Sequence, residues 1–182
     1  FGRYLDVDGD GVLYRTLPGT NHPNAGYFTR GTGHDEMAVY SERADHWTEN
    51  IQRLHQKFDK ARDMVPKPVV DFDPSKKIGL ITFGTNEPAV QEVRDWLVRD
   101  GIETNYLRIR ALPVNDDVLN FIHDHDQVYI IENDFDGQMF QLLSMESRQD
   151  ITHMFKVALG DSLPMTPRWI YNKLTSMIEK ER

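Results

Sequence analysis

Beyond residue 77 the apolar and polar positions follow two alternating rhythms, and each change of rhythm marks an element. Ile78–Phe83 is a short, nearly continuous apolar run, the pattern of a strand covered on both faces. Gly84-Thr85-Asn86 follows, and Pro88 stands in the first turn of a helix with Ala89, Val93, Trp96 and Leu97 on its apolar side. Gly101 closes that helix. The spacing predicts a second strand over 105–109 and a second helix opened by Asn115-Asp116-Asp117 and bearing Val118, Leu119 and Ile122. A third strand is expected over 127–131, a third helix over 137–145 and a fourth strand over 154–159. Thr166-Pro167 caps a terminal helix with Trp169, Ile170, Leu174 and Met177 on its apolar side. Strand and helix alternating in this way imply right-handed crossovers. The expected class is α/β: an open, mostly parallel sheet with helices on both faces.

The first third of the chain has a different texture. Over residues 3–17, Tyr4, Leu5 and Val7 lead into Asp8-Gly9-Asp10-Gly11, and Val12, Leu13 and Tyr14 lead out, which predicts a hairpin. Asp6, Asp8, Asp10 and Gly11 also occupy the first, third, fifth and sixth positions of a calcium loop. Leu17 stands where the bidentate glutamate belongs, however, and no helix is signalled on either side. From 44 to 65, Trp47, Ile51, Leu54, Phe58, Ala61 and Val65 recur at spacings of three and four, one face of a long amphipathic helix. His46 and His55 lie off that stripe and read as solvated. Pro66-Lys67-Pro68 stops the helix, and the polar stretch that follows, with Pro74, makes residues 67–76 the expected linker. The expected domains are therefore 1–66 and 77–182.

Composition narrows the function classes. The 182 residues are 39% hydrophobic and 27% charged, enough apolar content for a sizeable core. No apolar run approaches the roughly 20 residues of a membrane helix, and no signal-peptide pattern is present. A net charge of −8 argues against a nucleic-acid binder, which needs a basic face. The absence of cysteine excludes disulfides, thiolate zinc and cysteine-held iron–sulfur clusters from this chain, and fits a cytoplasmic protein. The chain opens with Phe1 rather than Met and reads as a piece of something longer.

The segment 26–36 gathers three glycines, Arg30, His34, Asp35 and Glu36 with no helical or strand period, and reads as a surface loop of the kind that carries binding groups. With His22, it is the one cluster that joins imidazole to carboxylate. These groups suit general acid–base work or docking of another chain, and their spacing does not choose. In an open parallel sheet, ligands sit beyond the carboxyl ends of the strands. Three loops lie there: 83–86, 110–113 and 132–138. Gly84, Thr85 and Asn86 offer a helix N-terminus as an anion seat, without the full glycine fingerprint or a P-loop lysine, and with Glu87 to repel an anion. Glu132, Asp134 and Asp136 are three carboxylates in one loop, expected to solvate it and favour the next helix dipole, with a divalent cation, or a partner's backbone held by Glu132, as the alternatives. His123 and His125 flank Asp124 at a helix C-terminus, which favours imidazolium. No serine elbow and no cysteine nucleophile is present.

Several phrases together carry a family likeness. They are Gly2-Arg3-Tyr4-Leu5, Thr16-Leu17-Pro18-Gly19-Thr20, Tyr27-Phe28-Thr29-Arg30-Gly31-Thr32-Gly33-His34-Asp35-Glu36, Glu132-Asn133-Asp134 with Asp136-Gly137-Gln138, and Leu163-Pro164-Met165-Thr166-Pro167-Arg168. The chain resembles the C-terminal portion of the alpha subunit of 2-oxoacid:ferredoxin oxidoreductases, the 2-oxoglutarate type in particular, over essentially its whole length. The resemblance implies that 1–66 ends a pyrimidine-binding domain and that 77–182 is a transketolase C-terminal-like domain. It implies a complex that uses thiamine diphosphate with magnesium and iron–sulfur clusters to convert a 2-oxoacid and coenzyme A to acyl-CoA, passing electrons to ferredoxin. The family's Tyr-Pro-Ile-Thr-Pro phrase is absent, its magnesium motif belongs to the beta subunit, and Asp134 replaces a common asparagine. No catalytic residue is carried over, no cofactor is expected on this fragment alone, and the fragment alone is expected to be inactive. Arg30, His34, Asp35 and Glu36 are then expected at the substrate entrance or the beta-subunit interface. Gly84, Thr85 and Asn86 are expected near a coenzyme A phosphate, and Glu132, Gly137 and Gln138 at an interface. The alternative is a freestanding flavodoxin-like nucleotide or flavin module, which the loop 83–88 serves poorly because it lacks a run of hydroxyl residues.

Overall fold

In the computed structural model, which describes residues 2–26, 33–147 and 150–180, a five-stranded sheet forms the larger part of the chain. Two compact units divide the molecule, Phe1–Met64 and Val65–Arg182. In the second, β1 (Val69–Asp71), β2 (Ile78–Phe83), β3 (Thr104–Ile109), β4 (Gln127–Glu132) and β5 (Met154–Ala158) lie in the order β1-β3-β2-β4-β5. The pairs β3–β2, β2–β4 and β4–β5 are parallel, and only β1 runs antiparallel, on the outer edge of β3.

The two faces are built by alternation. Leu80, Tyr106, Tyr129, Ile131 and Val157 point to one side, where α2 (Glu87–Arg99) and α5 (Pro167–Ile178) cover them with Val90, Val93, Leu97, Ile170 and Leu174. Their sequence neighbours Ile81, Leu107, Val128 and Ile130 point to the other. There α3 (Asp116–His123) and α4 (Gln138–Glu146) supply Val118, Phe121, Ile122, Met139 and Leu143. Strands packed on both faces explain why they read as apolar runs rather than alternating ones. Thr166 accepts a bond from the Trp169 amide at 3.3 Å and starts α5, as the Thr-Pro pair predicted.

Four local expectations need correction. The segment 67–76 is not merely a linker: Val69, Val70 and Asp71 add β1 to the sheet, and Arg94 Nη2 holds Asp71 at 2.5 Å. The hairpin over 3–17 does not form. Instead the Asp6 carboxylate accepts the amides of Gly9, Asp10 and Gly11 at 3.0, 3.1 and 2.9 Å, a side-chain capture that replaces a ladder. Gly11 has φ +76 and lies so close to α1 (Ala44–Met64) that a Cβ would meet the Lys57 nitrogen at 2.7 Å. The helix expected over 44–65 is present as α1, yet none of its residues is buried, and Trp47 and Phe58 are more than half exposed. His125, expected as an imidazolium, is a buried residue with 4% of its surface exposed. No helix among the described residues is long and apolar enough to cross a membrane.

Candidate functional site

In the first unit, the polar side of α1 supplies one wall of a cavity of about 240 Å³. His46, Glu49, Asn50 and Arg53 sit at i, i+3, i+4 and i+7, so they share one helix face. Tyr4, Asp6, His34, Asp35 and Glu36 form the opposite wall. The loop is tied to the helix through Asn50, whose Nδ2 donates to the carbonyls of His34 at 2.7 Å and His46 at 2.9 Å. Ser41 donates its amide to the Gly33 carbonyl at 2.9 Å, and His34 bridges Tyr40 in a short antiparallel contact. Tyr4 is anchored by its amide on the Glu36 carbonyl at 2.9 Å. Its ring stacks on His34 with centroids 3.7 Å apart, and the Arg53 guanidinium lies 5.7 Å from the Tyr4 centroid.

Several lining groups are already occupied. Asp6 caps its turn, and Asp35 Oδ1 accepts the amides of Met37 and Val39, both at 2.9 Å. His34 Nδ1 contacts the Asp35 carbonyl at 3.1 Å, and a carbonyl only accepts. Nδ1 of His34 is therefore the donor to that carbonyl. His46 Nδ1 pairs with Ser41 Oγ at 2.9 Å. Arg53 makes no ion pair among the described residues. The pocket thus offers two oriented imidazoles, Glu36, Glu49 and Arg53 to a small polar guest, with no serine, threonine, cysteine or lysine in its lining. Asp6, Asp8 and Asp10 bring carboxylate oxygens within 4.8 Å of one another. Asp6 spends its oxygens on amides and Asp10 pairs with Lys60 at 2.6 Å, so two of the three carboxylates already have partners within the unit.

Of the residues predicted here, His34, Asp35 and Glu36 line this cavity, His22 is not part of the lining, and Arg30 lies outside the described residues. Tyr4, His46, Glu49, Asn50 and Arg53 were not singled out. The signal for the four helical ones was their common face, which reads as ordinary solvated surface unless a loop is known to cross it.

Gly84–Asn86 forms a short 3₁₀ turn before α2, with φ +62 at Gly84; Gly84 and Thr85 are exposed, and Asn86 is buried. Glu87, expected to repel an anion there, is paired with Arg108 at 2.5 Å. After β4, Glu132 is fully buried and accepts the amides of Met139 at 2.8 Å and Phe140 at 3.0 Å. Asp134 takes those of Asp136, Gly137 and Gln138 at 2.8, 2.8 and 3.3 Å. Two carboxylates so satisfy the orphan amides at the start of α4. Burial pushes the Glu132 carboxyl above its usual range, against the pull of the two amides. Its side chain is turned inward and Gly137 is buried as well, so of the three expected interface residues only Gln138 is exposed. A Cβ on Gly137 would meet Lys156 Cδ at 2.2 Å, which is why this left-handed position also has to be small.

No protein-family model matches the sequence, and no curated protein matches it either. Among solved structures, a 2-oxoglutarate:ferredoxin oxidoreductase from Magnetococcus marinus, with 2-oxoglutarate, coenzyme A and succinyl-CoA bound, superposes with a TM-score of 0.75 at 21% identity, over 93% of this chain and 29% of that one. A split-gene transketolase, in an inactive beta4 tetramer, gives 0.52 at 16% identity over 64% of this chain and 43% of its own. The alpha chain of a probable 2-oxoacid ferredoxin oxidoreductase from Thermoplasma acidophilum gives 0.41 at 20% identity, over 62% of this chain and 97% of its own, too slight a likeness to bear on the fold. This chain spans less than a third of the first of these. The α/β class with a mostly parallel sheet, expected from the sequence, is thus a fold shared with a 2-oxoglutarate:ferredoxin oxidoreductase and with a transketolase.

Proposed function

We propose that this chain is the C-terminal part of the alpha subunit of a thiamine diphosphate-dependent 2-oxoacid:ferredoxin oxidoreductase. The observation that carries the reading is the backbone likeness to such an enzyme over 93% of the chain, joined to the sequence phrases that pointed there independently. In this reading residues 1–66 end a pyrimidine-binding domain, and the sheet domain is the transketolase C-terminal-like module. The uncovered apolar stripe of α1 supports it, because Trp47, Ile51, Leu54 and Phe58 need a neighbour to leave water. The complex acts in the cytoplasm, and ferredoxin and the 2-oxoacid meet it as a whole.

The opening of α4 does not fit a diphosphate, and the sequence does not fit a cysteine-held cluster. The amides that open α4 are taken by Glu132 and Asp134, so they have nothing to offer a diphosphate, and no cysteine is present to hold a cluster. The thiamine diphosphate, its magnesium and the iron–sulfur centres belong to other parts of the complex. The isolated chain turns nothing over.

The pocket of His34, Glu36, His46 and Arg53 then borders the substrate entrance or the beta-subunit interface. In the assembled complex, His34→Ala or Glu36→Ala is expected to lower turnover or subunit association several-fold, on the scale of one lost charge-assisted contact. Unchanged kinetics with unchanged association rejects that role. Gly84 and Thr85, exposed at the mouth of α2, are assigned to a coenzyme A phosphate. Titrating the complex with coenzyme A should give a weaker affinity for Thr85→Ala, and an identical affinity removes the assignment.

A further inference from the structure

The buried imidazole of His125 holds the stretch that leads from β1 into β2. The ring lies over Gly79 of β2, where an added Cβ would come within 3.1 Å of its Cγ, and its centroid is 4.4 Å from Phe121 and 5.7 Å from Phe72. Nδ1 contacts the Phe121 carbonyl at 2.5 Å, so Nδ1 carries a proton. Nε2 faces Asn105 Nδ2 at 2.8 Å and must accept. The Asn105 amide cannot turn round, because its Oδ1 receives the Asp73 amide at 2.8 Å while Nδ2 also donates to the Asp73 carbonyl at 3.0 Å. Every polar atom of the cluster is satisfied by one protonation state only, the neutral ring.

We propose that His125 is an acid-operated clasp: protonation of Nε2 sets N–H against NH2 and releases residues 72–76 from the sheet domain. Rotating Asn105 would relieve the conflict at the ring but turn both Asp73 bonds into mismatches. The ends of the stretch are held independently, by the β1–β3 pairing at Asp71 and by the Lys77 carbonyl, which accepts the Asp126 and Gln127 amides at 3.0 and 3.2 Å. The charged groups around the ring are Asp124 and Asp126 on its own loop, Lys77 before β2, and Asp73, whose carboxylate is engaged by Ser75 at 2.7 Å. β3 presents only the neutral Asn105 and α3 the Phe121 carbonyl. Burial is the largest influence and holds the imidazole below its usual range, opposed by the Phe121 carbonyl and the two aspartates. The sign follows: the clasp is closed above the ordinary histidine range and is lost as pH falls through the depressed value. Between those two points, opening grows about tenfold per pH unit for one linked proton.

The test is a pH series on the 182-residue chain, reading the His125 nitrogen shifts by NMR and the exchange protection of the Asp73 amide. Asp73 should lose protection as His125 takes its proton, while amides of β2 and β4 keep theirs. His125→Gln should flatten the Asp73 profile. Asn105→Asp, which offers an acceptor to protonated Nε2, should raise the His125 midpoint by about one unit or more. The proposal is overturned if Asp73 stays protected through the titration, if β2 and β4 open at the same pH, if His125 stays neutral until the sheet unfolds, or if Asn105→Asp leaves the midpoint in place.

Discussion

Glu132→Ala is expected to cost the sheet domain about 2–4 kcal/mol, from two amides left without an acceptor at about 1–3 kcal/mol each, less the relief of removing a buried acid. The Met139 and Phe140 amides open α4, whose Met139 and Leu143 are part of the core face shared with α3. Glu132→Gln keeps one acceptor and turns an NH2 toward the other amide, so roughly half the loss is expected. Urea unfolding should show the midpoint falling with an unchanged slope. The pH dependence adds a second check. The carboxyl is raised in the folded state, so folded protein binds its proton more readily than unfolded chain does between the ordinary and the raised value. Stability from this group is present below the ordinary carboxylate range and declines as pH climbs through the raised value. The Gln variant should lack that decline. An Ala variant as stable as the parent would mean that water replaces the carboxylate without loss.

The second large effect is expected at the centre of the sheet. Leu80 is fully buried on β2, among Val90, Val93, Leu97, Ile170 and Leu174. Leu80→Ala removes buried carbons from a site closed by helices and leaves a cavity, a loss of about 2–5 kcal/mol. Phe58→Ala on α1 is the control. Phe58 is 56% exposed, and in this chain its replacement should change stability by less than about 0.5 kcal/mol. Equal effects at the two positions would contradict the division into a packed sheet and an uncovered helix.

The sheet domain was legible because its strands are buried on both sides. Ile78–Phe83 stands out as a six-residue apolar block, and Gly101 and Thr166-Pro167 punctuate the helices in the expected places. β1 was not legible: three residues between Pro68 and the polar stretch are too few to show a period. The hairpin reading failed because Asp8-Gly9 and Asp10-Gly11 signal turns equally well when a carboxylate, here Asp6, collects their amides. His125 was misjudged on a local rule. Its place at a helix end argued for a cation, but Gly79 and Phe72, 46 and 53 positions away, make the site in which it is buried. The candidate pocket was half visible. Its loop carried conspicuous chemistry, while His46, Glu49, Asn50 and Arg53 belong to a helix face that ordinarily meets water.

The antiparallel border strand has a bearing on solubility. An outermost strand leaves a row of unsatisfied backbone groups on which a foreign chain can template itself. β1 offers only Val69, Val70 and Asp71 for that purpose, and Pro66 and Pro68, which lack a backbone N–H, stand just before it. Three of the six residues of β3 are thereby paired with a stub that cannot be extended far in one direction. Lengthening this stub, with Pro68→Val as the simplest case, would turn a protective hem into a nucleus for fibril growth.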